Sequence, residues 1–432
     1  MRIDRLQLLN FRCFEDNAFD WHPRLNLIAG KNATGKTALL EGLSVALGAW
    51  LVGVPGYDAR PLRSADVRLT YQESPTEAFL ERYPVDVSAT GVVAGVELNW
   101  SRSLQGRGGR TTTRHSGELA GLARGLVSQL GGRDRPTLPV ISYYGTSRLH
   151  IEPKQTAKLI GAGPQLGRSQ ERINPLSAYL HSVDPRISTQ GLVDWLAWQA
   201  WTAYTRGHLA PHDEAVRSAM AQALDGARRV YFDPGRAQVI VEFSDGDRRP
   251  FEYLSDGQRT LLSLIGDIAC RAVRLNGHLG DEAVRSTPGI VLIDELELHL
   301  HPTWQRSIAR TLTSTFPQVQ FFCSTHSPQV IGEVGRECVW LLDEKGGVRH
   351  PHATLGVDSN ELLGVLEGSP RSVSAHALEG KFYDALLDLE VETAEQILTD
   401  LRQKVEAPSS SVTRWETLLG NARATLLEED LL

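Results

Sequence analysis

The stretch Gly289-Ile-Val-Leu-Ile-Asp-Glu-Leu-Glu-Leu-His-Leu-His-Pro302 decides how this chain is read. Ile290–Ile293 is a run of β-favouring apolar residues, the pattern of a strand buried on both faces of a parallel sheet. The run ends in two adjacent carboxylates, Asp294 and Glu295. Open α/β sheets place their binding crevices at the carboxyl ends of strands. Side chains alternate at a strand tip, so the two acids can take separate jobs, one holding a metal and one activating water. A plain acidic surface turn would carry the same pair, so the flanking sequence has to choose.

Downstream, a helix is expected near Thr303–Phe316 and a second core strand at Val319–Cys323, followed by Ser324-Thr325-His326-Ser327-Pro328. His326 thus falls just beyond a neighbouring strand, on the edge that carries Asp294 and Glu295. Three polar elements on one sheet edge favour a functional histidine over a structural one. Upstream, a strand at Leu25–Ala29 runs into Gly30-Lys31-Asn32-Ala33-Thr34-Gly35-Lys36-Thr37 and then an apolar helix at Ala38–Leu47. This is the strand, Gly-rich loop and helix order of a P-loop. Backbone N–H groups of such a loop converge on phosphate oxygens, helped by the helix dipole. Lys36 would reach the β/γ-phosphates, and the Thr37 hydroxyl would ligand Mg²⁺.

Between these motifs, Gln238–Phe243 and Arg248–Leu254 form a hairpin candidate across Ser244-Asp245-Gly246-Asp247. It delivers Leu254-Ser255-Asp256-Gly257-Gln258-Arg259 to a helix at Thr260–Leu275. Ser255 is placed to cap that helix, whose first N–H groups form an anion site. Short alternating segments at Val67–Tyr71, Val85–Ala89 and Val92–Trp100 suggest an antiparallel meander, and Leu138–Tyr144 another core strand. Residues 152–172 read as a flexible loop, and Pro175–Arg229 as a helical block. Trp195, Trp198 and Trp201 fall at three-residue spacing there, as a core or partner-facing stripe.

With 432 residues, 41% hydrophobic and 22% charged, the chain is long enough for one large α/β unit with appendages. The net charge of −7 argues against a surface that binds nucleic acid all over. Residues 375–432 hold twelve acids and five bases, so the preceding part is formally neutral. Within that part, residues 101–135 carry seven arginines against Glu118 and Asp134, a place where DNA contact would concentrate. Residues 101–117 read as a loop or hairpin. From about residue 356 the chain reads as amphipathic acidic helices, with Leu378, Phe382, Leu386 and Leu389, then Ala394, Ile397, Leu398 and Leu401, at helical spacing. Cys13, Cys270, Cys323 and Cys338 lack disulfide or metal spacing, and charged residues precede any apolar stretch at the N-terminus. A cytoplasmic protein without a membrane segment is the expectation.

In order, the P-loop, Leu254–Gln258, Asp294-Glu295 and His326 resemble the ATP-binding-cassette ATPase head of the SMC and RecF-like branch, among the AAA-family ATPases. The resemblance covers residues 1–48 and about 230–345, with Asp256 where many members have Gly. It implies an α/β fold: a mixed, mainly parallel core sheet with flanking helices and an antiparallel meander, a helical insertion and a C-terminal helical appendage. The corresponding divisions are 1–150, 151–235, 236–345 and 346–432. It also implies ATP and Mg²⁺ as cofactors. Gly30, Lys31, Asn32, Ala33, Thr34, Gly35, Lys36 and Thr37 would cradle the phosphates, with Thr37 and Asp294 on the metal. Glu295 would activate water, His326 contact the γ-phosphate, and Lys36 stabilise transferring charge. Ser255, Gly257 and Gln258 would act on the nucleotide of a second copy, and Arg12 lies in a segment near the nucleotide in RecF-like relatives. The Q-loop glutamine is not placed by the sequence, Gln155 being one candidate.

A narrower resemblance, to ATPase subunits of Septu-type and retron-associated anti-phage systems, rests on Tyr144–Leu149, His299–Gln305 and Gly356–Asn360. It implies a partner HNH-type nuclease on another chain and, in a retron, a reverse transcriptase with its DNA–RNA product. A RecF-like repair ATPase that grips DNA directly, or an ATP-bound scaffold with little turnover, are the alternatives.

Overall fold

Leu25–Ala29, Val140–Tyr144 and Gly289–Ile293 are buried at every residue and belong to one six-stranded sheet. The computed structural model describes residues 1–57, 59–72, 78–146, 174–183, 190–343 and 346–359, then short pieces from Leu362 onward, the longest being the helix Val391–Lys404. Across the sheet the order is Val348–Arg349, Val339–Leu342, Leu25–Ala29, Val319–Thr325, Gly289–Ile293, Val140–Tyr144. Only the two-residue edge strand runs antiparallel. Ile293 pairs with both Tyr144 and Cys323, and Thr325 pairs with Ala29. One sheet edge therefore gathers the strand ends that lead into Gly30, Asp294 and His326. Strands covered on both faces need apolar residues on both, hence their mainly hydrophobic runs, with Asn26 and Ser142 among the few buried polar exceptions.

An antiparallel sheet of Phe14–Asp20, Arg2–Phe11, Val85–Val93 and Val96–Leu104 covers the other side of the helix Lys36–Leu51. Every residue of that helix except Thr37 and Glu41 is buried, as expected where apolar residues surround the axis. Trp100 Nε1 donates to Ala46 O at 3.0 Å, and the Arg102 guanidinium donates to Val45 O and Arg60 O at 3.2 and 2.6 Å. The P-loop helix is thus clamped between two sheets.

The helix Asp256–Asn276 packs on the helices Gln190–Arg206 and Pro211–Ala223 and on the strand Val140–Tyr144. Buried Asp267 accepts from Tyr144 Oη and Arg271 Nε, each at 2.7 Å, while Arg271 also donates to Ala178 O. Breaking such a buried pair costs about 3–5 kcal/mol, because a charge is left without its partner.

Several expectations shift. The segment Val92–Trp100 is broken by a turn at Ala94 and Gly95, with φ of 50° and 81°. Two positive φ values in a row make a tight hairpin turn, which Ala-Gly signals less clearly than Asn-Gly. Gly117–Ser128 is a helix, although Gly121 and Gly125 weaken its propensity. Leu119, Ala120 and Ala123 are buried on its inner face. The helical block stops at Ala223, and Ala227–Asp233 is a strand paired with Gln238–Phe243. Pairing across the chain outweighs the local pattern there.

Arg102 is 3% exposed and bonded inside the fold, which removes it from the arginines available to DNA; Arg107, Arg110, Arg124, Arg133 and Arg135 are exposed. The tryptophans do not share a face either: Trp195 is 6% and Trp201 49% exposed. Two three-residue steps rotate the side chain by roughly 120° around a helix of 3.6 residues per turn. The expected loop at 152–172, Gln155, Leu378, Leu386 and Leu389 lie outside the described residues.

The chain divides into two units, Met1–Leu362 and Leu363–Leu432. The second has its own small core of Phe382, Ala385, Ala394, Leu398, Trp415 and Leu419, with Phe382 and Trp415 stacked at 4.9 Å.

Candidate active site

Strand direction builds the site. Leu25–Ala29 ends at Gly30, whose φ is 148° and where a Cβ would lie 2.5 Å from Leu342 O. Only glycine fits that approach. The loop then curls so that Thr34 Oγ1 donates to Lys31 O at 3.0 Å, and Lys36 Nζ donates to Gly30 O and Lys31 O at 2.9 and 2.6 Å. Lys31, Asn32, Ala33 and Thr37 are exposed, while Thr34 and Lys36 are buried beneath them. Burial lowers the Lys36 pKa from its ordinary value, and the charges of Asp294, Glu295 and Glu297 oppose that shift. Lys36 is therefore a cation held close to three carboxylates in a poorly solvated place.

Gly289–Ile293 ends at Asp294, 5% exposed. Its N–H donates to Tyr144 O at 2.8 Å, and its carboxylate accepts from Ser324 Oγ at 2.5 Å and from Thr37 Oγ1 at 3.0 Å. The P-loop threonine and the strand-tip acid are thus already in contact. Ser324 Oγ also accepts from Glu295 N at 2.7 Å, so one serine fixes both acids. Glu295 and His299 have φ of 49° and 62°. Such left-handed non-glycine residues cost about 1–3 kcal/mol each and gather at functional sites.

His326 follows Val319–Thr325, and its backbone N–H donates to Glu297 Oε1 at 2.5 Å. Ser327 Oγ bonds Gln305 Oε1 at 2.7 Å. Lys36, Thr37, Asp294, Glu295 and His326 are therefore brought to one sheet edge, as the sequence places them. Ser324 and Glu297 complete the cluster. Neither was singled out from sequence, although Glu297 stands inside the deciding stretch; a third acid after an acid pair looks like ordinary turn composition.

The other expected residues lie elsewhere. Ser255 caps Asp256–Asn276 in a reciprocal box: Gln258 N donates to Ser255 Oγ at 3.4 Å, and Ser255 N donates to Gln258 Oε1 at 3.1 Å. At Gly257 a Cβ would sit 2.7 Å from His299 O and 3.0 Å from the Trp304 ring, so this loop rests on the segment following the acids. Arg12 pairs with Glu41 of the P-loop helix and with Asp66, at 3.1 Å for the latter; Arg60 binds the same two acids. Arg12 thus braces the helix that the P-loop starts.

Oxygen donors from Thr37 and Asp294 suit a hard cation such as Mg²⁺, which takes one or two protein ligands and completes its shell with phosphate and water. No group of three or more His, Cys, Asp or Glu able to hold a metal occurs among the described residues. No helix there is long and apolar enough to cross a membrane.

Two family descriptions match: "AAA domain, putative AbiEii toxin, Type IV TA system" over residues 154–332, and "AAA domain" over residues 5–184. The Retron Ec83 probable ATPase of Escherichia coli is 36% identical over 148 residues, 34% of this chain and 27% of that protein. The Retron Vc95 probable ATPase of Vibrio cholerae is 50% identical over 91 residues, 21% of this chain and 17% of that one. Septu protein PtuA of Bacillus thuringiensis is 33% identical over 93 residues, 22% of this chain and 23% of that one. These matches span only 17% to 27% of the relatives' own length. The SMC head domain from Thermotoga maritima aligns over 82% of this chain and all of that one, at 14% identity and a TM-score of 0.43. Overlapping AAA-domain matches from residue 5 to residue 332, and relatives named as ATPases over part of their length, agree with the strand-edge geometry: over this stretch the chain is similar to AAA-domain ATPases.

Proposed function

We propose that this chain binds ATP with Mg²⁺ and hydrolyses it as the ATPase subunit of a bacterial anti-phage defence complex. The observation that carries the hydrolytic reading is the 3.0 Å contact between Thr37 Oγ1 and Asp294, which joins the P-loop to the acid pair. The defence setting is supported by the retron and Septu relatives.

Residues 30–37 would cradle the phosphates, Lys36 releasing its loop carbonyls to meet phosphate oxygens. Thr37 and Asp294 would hold Mg²⁺, which when bound neutralises charge on the phosphates. Glu295 orients and deprotonates the attacking water, and His326 steadies the γ-phosphate. The rate gain comes from positioning and charge neutralisation, with no covalent intermediate. Residues 1–150 and 236–345 would form the two lobes of the head, with 151–235 inserted and 346–432 appended. Ser255, Gly257 and Gln258 would close over the nucleotide of a second copy, so ATP joins a head-to-head dimer and hydrolysis releases it. The state of that dimer would regulate an HNH-type nuclease on another chain, within a retron or a Septu pair.

Replacing Glu295 by Gln tests the reading. Turnover is expected to fall by about 10²–10⁴-fold, the usual range for removing a general base. ATP binding persists, and light scattering shows a dimer that outlasts the wild-type one. Equal turnover in Glu295→Gln and wild type would refute it, and a wild-type chain that binds ATP without turnover would favour the scaffold instead.

A further inference from the structure

Several hydrogen bonds join the end of Val319–Thr325 and the loop after it to the stretch after Gly289–Ile293. Ser324 Oγ donates to Asp294 and accepts from Glu295 N, Ser327 Oγ meets Gln305, and Glu297 Oε1 accepts the His326 N–H. The last of these fixes the backbone of His326 itself, and its acceptor is a carboxylate, which makes a shorter and stronger bond. The other carboxylate oxygen, Glu297 Oε2, is buried without a hydrogen-bond partner among the described residues. A helix cap or a surface turn does not require a half-satisfied buried carboxylate, and such groups call for an explanation. The turn that presents Glu297 is tight: Leu298 N donates to Glu295 O and Leu300 N to Glu297 O, between the positive-φ residues Glu295 and His299. The same turn supports Gly257 through His299 O.

We infer that Glu297 is a positioning residue: its carboxylate anchors the His326 backbone and thereby sets where His326 stands relative to Lys36 and the acid pair. The inference rests on the hydrolytic reading of this site. It assigns Glu297 no contact with nucleotide. It also makes the turn 295–301 the piece that both holds the His326 backbone and packs against Gly257, in the segment offered to a second copy.

The test compares Glu297→Ala, which removes the acceptor, with Glu297→Gln, which keeps an oxygen at the same position. Two readouts are taken on the full chain: ATP affinity with kcat and KM, and amide hydrogen exchange in the peptide spanning Val319–Val330. In Glu297→Ala, exchange there is expected to rise and kcat to fall tenfold or more, with ATP affinity within about twofold of wild type. Glu297→Gln is expected to keep slow exchange and most of kcat. Unchanged exchange in Glu297→Ala, or a Gln variant as impaired as Ala, overturns the inference. If the wild-type chain binds ATP without hydrolysing it, the hydrolytic reading fails, and the exchange comparison alone decides whether Glu297 holds His326.

Discussion

Two helices in this molecule begin at proposed nucleotide-contacting loops, and they begin differently. The helix Lys36–Leu51 starts from Gly35 at φ 103°, with no side-chain cap and no acid in its first turn. The helix Asp256–Asn276 starts from Ser255, closed by its own box with Gln258 and carrying Asp256 in the first turn. An uncapped helix start keeps its N–H groups and the positive end of its dipole for a ligand. A boxed start has satisfied those groups internally and already placed a negative charge there. On the proposed reading the first would bind phosphate by itself. On the same reading the second would have to exchange those bonds before taking a partner's phosphate, which suits a contact that forms and releases with each cycle.

The comparison can be broken at either end. The largest effect is expected at Lys36→Ala: ATP affinity measured calorimetrically should drop by at least about 100-fold, or about 3 kcal/mol. Affinity within threefold of wild type would mean that the uncapped start is not the phosphate site. A smaller effect is expected at Ser255→Ala, where losing the cap costs about 1 kcal/mol of stability by denaturant titration. ATP affinity of the isolated chain should stay near wild type while turnover falls. Stability loss with full turnover would leave Ser255 as a cap and nothing more.

The central sheet and the P-loop were legible because their signals are local. A buried parallel strand advertises itself as an apolar run, and the loop's glycines sit at fixed spacing. The strand at Ala227–Asp233 was not, because its pairing with Gln238–Phe243 is formed by residues that a local window reads separately. Arg102 shows the same limit for charge: in sequence it belongs to a basic cluster, in the fold it donates to carbonyls behind the P-loop helix. At the site, residue types gave Lys36, Thr37, Asp294, Glu295 and His326. Ser324 and Glu297 were missed because their importance lies in which backbone groups they hold, and that depends on two strands ending side by side.

The central claim is that one chain's P-loop works with another chain's Ser255 loop. It is tested most directly by mixing two inactive variants, Lys36→Ala and Ser255→Arg, and measuring ATP turnover. Each keeps the half-site that the other lacks, so mixed pairs contain one intact composite site. Turnover of the mixture well above the sum of the two variants alone is the expected result. A mixture no more active than that sum, with mixed pairs demonstrated by mass measurement, would contradict the account.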